Sequence, residues 1–359
     1  MNERNEGCAA TPHRPRRRRR RRRRRPLLLG ALLTLLALVL TAGAVVVVGN
    51  SYDLREEQVT ITGGPQPLTG VLALPATGSG PHGLVVFVHG DGPLDATHET
   101  FYRPLWEAFA QAGYASLSWH KPGVAGAPGD WLDQSMDDRA AETVAAITWA
   151  RTRPEIDPRR IGLWGASQAG WVMPKVAVRL PELRFVIAVS PAINWQRQGR
   201  YNLLAELADQ QAPPERVRAE LERSETTLRL LREGASFEQY RAAVGDPREM
   251  TAQRWRFVAR NFTADASADL AALRVPVLLV LPGHDRNVDV ADTEAGYRRL
   301  LRDPATLQVR HYPDTTHSLL PRQVESCPVR AFLLAVAAPR ALYADGVLDD
   351  QRQYLRDVH

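Results

Sequence analysis

Residues 160–170 read RIGLWGASQAG, an apolar strand pattern that runs directly into a turn of small residues centred on Ser167. In a strand-to-helix turn of this kind the central residue is strained, and bulky residues two positions to either side would collide. Gly165 and Ala169 meet that requirement. Residues 170–180 can continue as a helix whose N-terminal dipole favours negative charge beside the serine. The pattern therefore predicts an exposed serine nucleophile.

The turn departs from the usual Gly-x-Ser-x-Gly pattern at one position. Ala169 replaces the second glycine, and Gly170 follows one place later. Alanine is the mildest replacement there, but a short motif also occurs in turns without function. A tight turn that merely contains a polar residue is the alternative interpretation, so the partners of the serine decide between the two.

A serine hydroxyl needs N–H donors that stabilise the oxyanion formed when it attacks a carbonyl. One donor in this type of site is the amide after the nucleophile, here that of Gln168. The second comes from the loop after an earlier strand. Residues 83–88 predict that buried strand, and for the loop behind it, His-Gly-Asp-Gly-Pro, we choose the amide of Asp91. His89 in the same loop is interpreted as a structural hydrogen-bonding residue.

The acid and the base are expected after two later strands. Residues 275–281 predict a buried strand that ends in a turn containing Asp285. Residues 306–312 predict another strand, followed by a loop that holds His317. The chain order serine, aspartate, histidine is one of the known triad orders and belongs to the strand–turn–helix architecture.

Other residues compete for these roles. Asp289 and Asp292 are alternative acids, but they fall at or inside the next predicted helix. His311 and His284 are alternative bases, although the first lies within a strand pattern and the second adjoins the acid. No metal site and no cofactor are expected, since the chain has no His-x-x-x-His or Cys-x-x-Cys spacing.

With these features in this order, the chain resembles the α/β-hydrolase superfamily, in particular its dienelactone-hydrolase-like and prolyl-oligopeptidase-like branches. The resemblance covers roughly residues 58–338. The segment 116–126, SLSWHKPGVAG, is similar to a family segment that usually reads Asp-Lys-Pro-Gly, with His120 where the aspartate is common. The resemblance implies that this substitution bears on substrate shape more than on chemistry.

The resemblance also implies roles for the site residues. Ser167 is the expected nucleophile, His317 the general base and Asp285 the residue that orients it. The amides of Asp91 and Gln168 form the expected oxyanion hole. Families of this fold cleave esters, thioesters, lactones or peptides, and the fold alone does not choose among them.

The N-terminal region predicts a membrane anchor. Ten consecutive arginines, residues 16–25, precede an uncharged apolar run at 27–48, which has 22 residues against the roughly 20 that span a bilayer. Because positive flanks stay cytoplasmic, the N-terminus is expected inside and the rest of the chain outside the cytoplasmic membrane. Cleavage after the small residues 42–44 is the alternative, and it would give a secreted protein.

Charge and cysteine content fit this topology. The formal net charge is +6, but residues 1–26 alone carry +10, which leaves about −4 for the remainder. We therefore interpret the arginines as a topology signal and expect no nucleic-acid partner. Cys8 and Cys327 lie on opposite sides of the predicted membrane, so no intramolecular disulfide is expected.

The alternation of strand and helix patterns predicts an α/β fold, a mostly parallel central sheet flanked by helices. An earlier pair of strands, 59–61 and 68–74, is expected to be antiparallel, and residues 323–337 are expected to form a closing helix. The predicted division is a cytoplasmic Arg-rich tail at 1–26, a transmembrane helix at 27–48, a linker at 49–57, a hydrolase core at 58–193 and 271–338, a helical cap insertion at 194–270 and a C-terminal tail, loose or briefly helical, at 339–359.

Aromatic residues of the predicted cap have two possible roles. They line a substrate pocket above the serine, or they pack the core of the cap itself: Trp195, Tyr201, Tyr240, Trp255, Phe257 and Phe262. The leading hypothesis is a membrane-anchored extracytoplasmic serine hydrolase acting on a small ester-type substrate. The alternatives are a peptidase or acyltransferase with the same triad, and a non-catalytic binding protein on a hydrolase fold.

Overall fold

The strands of the protein form one sheet. The structure is a computed structural model that describes residues 19–245 and 250–358, with side chains from residue 30 onward. Within these residues the sheet has eight strands in the order β1-β2-β4-β3-β5-β6-β7-β8. Pairs β1–β2 and β2–β4 are antiparallel, and all later pairs are parallel. The strands are β1 Leu54–Ile61, β2 Leu68–Pro75, β3 His82–Val88, β4 Tyr114–Trp119, β5 Ile156–Ala166, β6 Val186–Val189, β7 Val277–His284 and β8 Leu307–Thr316.

Helices cover both faces of this sheet. In order they are α1 Arg19–Gly49, α2 Arg103–Ala110, α3 Met136–Ala150, α4 Met173–Arg179, α5 Trp195–Asp209, α6 Pro214–Arg232, α7 Phe237–Val244, α8 Ala252–Asn261, α9 Ser267–Ala272, α10 Val290–Leu300, α11 Arg322–Glu325, α12 Pro328–Ala337 and α13 Val347–Asp357. Successive residues of β3 point into different cores, Val86 into one and Phe87 into the other. Because a strand of a covered parallel sheet is buried on both faces, its sequence is continuously apolar. The predicted α/β class is confirmed.

Several predicted element bounds are wrong. The closing helix predicted at 323–337 breaks, because Pro328 lacks an N–H and instead begins α12. Strand β1 begins at Leu54, inside the predicted linker. The helix predicted to start at 170 is a 3-10 turn over Ser167–Trp171, followed by α4.

Helices α5 to α9 lie between β6 and β7 in the chain, in the segment predicted as an insertion. Part of this segment has a small core of its own, which contains Leu230, Leu231, Tyr240 and Trp255. The rings of Tyr240 and Trp255 stack with centroids 4.3 Å apart. These two aromatic residues therefore pack the insertion itself.

Helix α1 is the N-terminal element. Its portion Gly30–Gly49 has 20 residues with mean hydropathy 2.7, so it is long and apolar enough to cross a membrane. None of that portion is buried against the rest of the protein. Most of the predicted Arg-rich tail, residues 1–18 with Cys8, lies outside the described residues.

The C-terminal residues are part of the packed domain. Gln351 of α13 is fully buried, and its Oε1 accepts a hydrogen bond of 2.8 Å from Nε1 of Trp164 on β5. Val347, Tyr354 and Leu355 are buried in the same core as Phe87. The loose-tail alternative for residues 339–359 is therefore wrong over the described part, because α13 presents an apolar face at helical spacing.

If α13 is part of the core, truncating one of its buried side chains must destabilise the whole domain. Leu355→Ala is expected to lower the free energy of unfolding by about 2–4 kcal/mol, through lost apolar burial and the cavity left behind. Denaturant unfolding of the detergent-solubilised protein measures this. Gln353→Ala, on the exposed face of the same helix, is the matched control with an effect below about 0.5 kcal/mol. Equal effects of the two variants would contradict the packing.

Candidate active site

The turn after β5 holds Ser167 in a left-handed backbone conformation with φ +56°. Non-glycine residues rarely adopt this region, and it is typical of a serine raised out of a strand end. Gly165 is required here, since a Cβ at that position would lie 2.7 Å from the Val88 carbonyl oxygen and 2.6 Å from the Ala169 Cβ. The missing side chain at Gly165 thus leaves room for the alanine that departs from the usual pattern.

The next glycine fixes the turn against the neighbouring strand end. A Cβ on Gly170 would lie 2.4 Å from the carbonyl oxygen of Ala192. On the other side, a Cβ on Gly90 would lie 3.3 Å from the Ala166 carbonyl oxygen and 3.6 Å from the Ser167 Cβ. The predicted oxyanion loop therefore passes directly beside the serine.

Asp285 follows the last residue of β7 and is buried. Its Oδ1 accepts main-chain N–H bonds from Asn287 at 2.8 Å and Val288 at 2.9 Å. Its Oδ2 lies 2.7 Å from Nδ1 of His317. A carboxylate held by two N–H donors accepts the Nδ1 proton of the imidazole. Nε2 of that tautomer is then free to act as a base.

Ser167 and His317 line the same cavity, which has a volume of ≈ 240 Å³. No hydrogen bond joins these two side chains in the described part of the chain. In enzymes without substrate, catalytic hydrogen bonds are commonly long and tighten only in the substrate complex. The structure thus brings the serine, histidine and aspartate to one place without a closed serine–histidine contact.

The competing residues have other partners. Asp289 caps the N-terminus of α10 through the N–H groups of Ala291 and Asp292. His311 is exposed on β8, with Nε2 2.7 Å from Glu294. Asp292 itself pairs with an arginine of the helical insertion, 3.1 Å away. These residues stabilise the periphery, whereas Asp285 and His317 contact each other at the cavity.

Two buried cations hold the loop after β3. Nζ of Lys121 donates to the carbonyl oxygens of Gly90 at 2.6 Å and Gly92 at 2.9 Å. Because the C=O and the following N–H of a trans peptide point in opposite directions, the Asp91 N–H points away from Lys121. Arg139, also buried, donates to the His89 carbonyl oxygen. The loop conformation is therefore fixed from its inner side.

The same peptide geometry orients the N–H group of Gln168, the second predicted oxyanion donor. The Ser167 carbonyl oxygen accepts a 3.1 Å hydrogen bond from the Ala192 N–H. The Gln168 N–H therefore points away from Ala192. As an early residue of a 3-10 helix, it is one of the N–H groups that lack an intrahelical acceptor.

Asp91 links the loop to the helical insertion through its side chain. Arg254 of α8 donates to both carboxylate oxygens, at 3.0 and 2.6 Å, and Nε2 of Gln168 donates to one of them at 3.0 Å. Burial opposes the charged form of Asp91. The hydrogen bond and charge of Arg254, with the charge of Lys121, outweigh burial and hold the pKa of Asp91 below its ordinary value.

The sequence patterns do not predict the roles of Lys121, Arg139 and Arg254 at this site. Lys121 had a signal, its place in the segment similar to Asp-Lys-Pro-Gly. Arg139 and Arg254 had none, because each is one charged residue among many on a helix, and the partners lie far away along the chain.

His89 is a structural residue, as interpreted from its place after a buried strand. Its Nε2 lies 2.6 Å from the Trp119 carbonyl oxygen, and its Nδ1 lies 3.2 Å from the Tyr102 hydroxyl. The carbonyl requires a proton on Nε2, so Nδ1 accepts from the hydroxyl. Burial, together with the charge of Lys121, lowers the pKa of His89 to about 3. The imidazole is therefore neutral.

The walls of the cavity come from the loop after β3 and from segments near the C-terminus. His120 Nδ1 accepts the Ala96 N–H at 3.0 Å and so helps to hold that loop. None of the six aromatic residues singled out in the insertion lines this cavity, whose described wall contains Leu94, His98, Phe101, Tyr102, Trp164, Leu319 and Tyr343.

Two of those insertion residues pack beside the site instead. The Tyr201 hydroxyl donates to the Asp285 carbonyl oxygen at 2.7 Å. Trp195 stacks on Trp171, with ring centroids 4.8 Å apart. For these residues the packing interpretation is the one that the contacts favour.

The eight-stranded sheet and the strained serine turn define an α/β hydrolase. The chain belongs to the family described as serine aminopeptidase, S33, whose pattern matches residues 79–322. It is thus a hydrolase of that family. The predicted superfamily is confirmed.

Solved structures agree in fold. An esterase of Pyrococcus furiosus is 16% identical, with TM-score 0.51, over 79% of this chain and 92% of that chain. An α/β hydrolase from Penicillium sp. is 17% identical, with TM-score 0.53, over 85% of this chain and 99% of that chain. At such low identity the likeness shows the fold alone.

A curated relative is similar over a shorter stretch. A Mycobacterium tuberculosis protein, named as a phosphoribosyl transferase, is 30% identical over 128 residues, which are 35% of this chain. The match spans 27% of the relative's length. The similarity covers too little of either protein to transfer an activity.

The buried neutral His89 predicts acid sensitivity. Its pKa is about 3 when folded against an ordinary 6.5, so only the unfolded chain takes up this proton as the pH falls below 6.5. Between about pH 7 and about pH 5 this group alone is expected to remove about 2 kcal/mol of the free energy of unfolding. In His89→Gln the loss over that range should shrink by that amount, measured by denaturant unfolding in detergent.

The exposed His284 supplies the control for this measurement. His284→Gln makes the same chemical change at an exposed position and is measured alongside as the reference. An unchanged pH dependence in His89→Gln would show that the residue is not buried in its neutral form.

Proposed function

We propose that Ser167, His317 and Asp285 form a catalytic triad that cleaves an ester bond through an acyl-enzyme. The observation that carries this proposal is the 2.7 Å Asp285–His317 pair at the same cavity as a serine with φ +56°. A nucleophile, a base and an orienting acid are the groups that acyl transfer requires.

The reaction follows from the positions of these groups. His317 Nε2 takes the proton of the Ser167 hydroxyl while Oγ attacks the ester carbonyl carbon. The N–H groups of Asp91 and Gln168 donate to the oxyanion of the tetrahedral intermediate. His317 returns the proton to the leaving alcohol, which leaves an acyl-enzyme. Water, deprotonated by the same imidazole, then releases the carboxylic acid and regenerates the serine.

The cavity supports a small ester with an apolar group as substrate. Its described wall is mostly aromatic and aliphatic, including Phe101, Trp164 and Tyr343. Among the described lining residues, Asp91 is the one carboxylate, and it is already paired with Arg254. An acidic group that binds a substrate's free amine would have to be unpaired, so these contacts favour an ester over a substrate with a free N-terminal amine.

Removal of the nucleophile tests the proposal. Ser167→Ala is expected to lower kcat for a short p-nitrophenyl ester about a thousandfold or more, because no other group can form the acyl-enzyme. Labelling by a fluorophosphonate probe should vanish with it. Ser318→Ala removes another hydroxyl at the same cavity and is expected to retain both ester turnover and labelling by the probe. Turnover by Ser167→Ala at the parent rate would overturn the assignment.

Substitutions of Asp285 and Asp289, which are four residues apart, distinguish the orienting acid from a residue that caps a helix. Asp285→Asn leaves the shape intact but presents an amide N–H or a weaker acceptor to Nδ1, so kcat should fall about 10²- to 10⁴-fold. Asp289→Asn keeps a side chain that caps α10 and should retain kcat within about twofold. The comparison uses kcat for the same ester. The reverse ranking would assign the acid to Asp289.

We also infer that α1 anchors the protein in the cytoplasmic membrane, with the catalytic domain outside. The length and apolar composition of Gly30–Gly49 and the preceding arginine run support this. After the helix, Arg340 donates to the carbonyl oxygens of Gly49 and Ser51 at 2.8 and 2.7 Å. These contacts would tie the anchor directly to the domain.

Cell fractionation distinguishes anchoring from secretion. The intact chain is expected in the membrane pellet after an alkaline carbonate wash, and protease added to spheroplasts should degrade the catalytic domain. A soluble protein whose N-terminus lies just after residue 44 would instead show cleavage. A domain protected from the protease in intact spheroplasts would reverse the topology.

A further inference from the structure

Helix α12 carries an apolar face that the described protein leaves uncovered. Val329, Phe332 and Leu333 are 68%, 65% and 58% exposed, and Val336 is 38% exposed. Their spacing places them on one side of the helix. No residue of α12 is buried. An exposed apolar face of this kind marks a site that contacts another protein or a membrane.

This helix is fixed to the end of α1. The Asn50 side-chain amide donates to the Val336 carbonyl oxygen at 2.7 Å. Gly49 and Ala337 touch so closely that a Cβ on the glycine would lie 2.1 Å from the alanine carbonyl oxygen. Arg340, which holds Gly49, also donates to both carboxylate oxygens of Glu107 on α2. The end of α1, the end of α12 and the domain are thus joined at one point.

The length of α1 sets the depth of that point. Twenty helical residues, Gly30–Gly49, rise about 30 Å, which matches the hydrocarbon thickness of a bilayer. Gly49 therefore lies near the boundary between acyl chains and headgroups when α1 spans. The contact with Ala337 brings α12 to the same boundary.

We propose that α12 lies in the membrane interface, in the leaflet on the side of the catalytic domain, with the Val329–Phe332–Leu333 face among the lipid acyl chains. The proposal rests on the anchoring by α1 proposed above. Arg330 is exposed on the same helix and can extend to lipid phosphates. Lipid is the occupant that this position favours, because the uncovered face adjoins an element that already lies in the bilayer.

The helix also connects two walls of the catalytic cavity. Leu319 lines the cavity before α11 and α12, and Tyr343 lines it shortly after α12. If α12 lies in the bilayer, the short segments that join it to Leu319 and Tyr343 hold both cavity walls at the membrane side of the domain. Esters that partition into the bilayer are the substrates that such an arrangement would favour.

Site-directed fluorescence on the full chain tests the proposal. Single cysteines are introduced as Phe332→Cys, Leu38→Cys and Leu204→Cys in a Cys8→Ser, Cys327→Ser background. Each is labelled with an environment-sensitive fluorophore and reconstituted in vesicles of phosphatidylcholine and phosphatidylglycerol, with or without lipids that carry a nitroxide near the headgroup. Leu38 reports on the span, and Leu204 is an exposed position on α5 of the insertion.

The expected result is quenching at residue 332 by about twofold with the shallow nitroxide lipid, little quenching at residue 204, and a lipid environment at residue 38. Ester turnover by each labelled protein verifies its fold, and Val329→Cys replaces Phe332→Cys if that variant is inactive. A lipid environment at residue 38, with residue 332 behaving like residue 204, overturns the proposal but leaves the anchor intact. An aqueous signal at 38 defeats the anchor and the proposal together.

A third outcome concerns a protein partner. If the fluorophore at residue 332 is shielded from aqueous iodide but is not quenched by nitroxide lipid, a second copy of the chain covers the face. That result also overturns the proposal, and cross-linking of the same vesicles identifies the copy.

Discussion

The left-handed backbone of Ser167 is the constraint on which the site depends. A non-glycine residue in this region costs of the order of 1–3 kcal/mol, so its surroundings must enforce it. Here the enforcement is steric and polar together. Gly165 leaves space for the turn, Gly170 packs on the main chain at Ala192, and the Ser167 carbonyl oxygen accepts the Ala192 N–H. The strained residue is therefore held between the ends of two buried strands, at the edge where a ligand can approach.

In the mechanism that we propose, peptide geometry makes these buried contacts orient the donors of an oxyanion site. Lys121 fixes the carbonyl of Gly90, and Ala192 fixes that of Ser167, so that the N–H groups of Asp91 and Gln168 are oriented before any substrate binds. Donors that need not reorganise stabilise a developing oxyanion more effectively than water does. Lys121 and Arg139 lie behind the loop, where they cannot contact the substrate. Arg254 adds a link from α8 that couples this loop to the helical insertion.

Local patterns predicted the sheet and the order of the site residues, because buried parallel strands are continuously apolar and each candidate follows a strand end. The pattern failed where distant parts of the chain meet. Arg139 and Arg254 find their partners only in the folded protein. The cavity walls come from Phe101 and Tyr343 rather than from the insertion, since the C-terminal segment returns to the sheet through α13. The break at Pro328 follows from the sequence itself, because proline lacks the N–H that a continuous helix needs at that position.

The central claim is that the Ser167 turn and the loop at Asp91 form one prepared oxyanion site. A crystal structure of the enzyme phosphonylated by a fluorophosphonate tests it most directly. The account predicts a bond from phosphorus to Ser167 Oγ, a phosphonyl oxygen within about 3 Å of the N–H nitrogens of both Asp91 and Gln168, and His317 Nε2 within hydrogen-bond distance of Oγ. A phosphonyl oxygen directed at solvent, with both N–H groups bonded elsewhere, would contradict it.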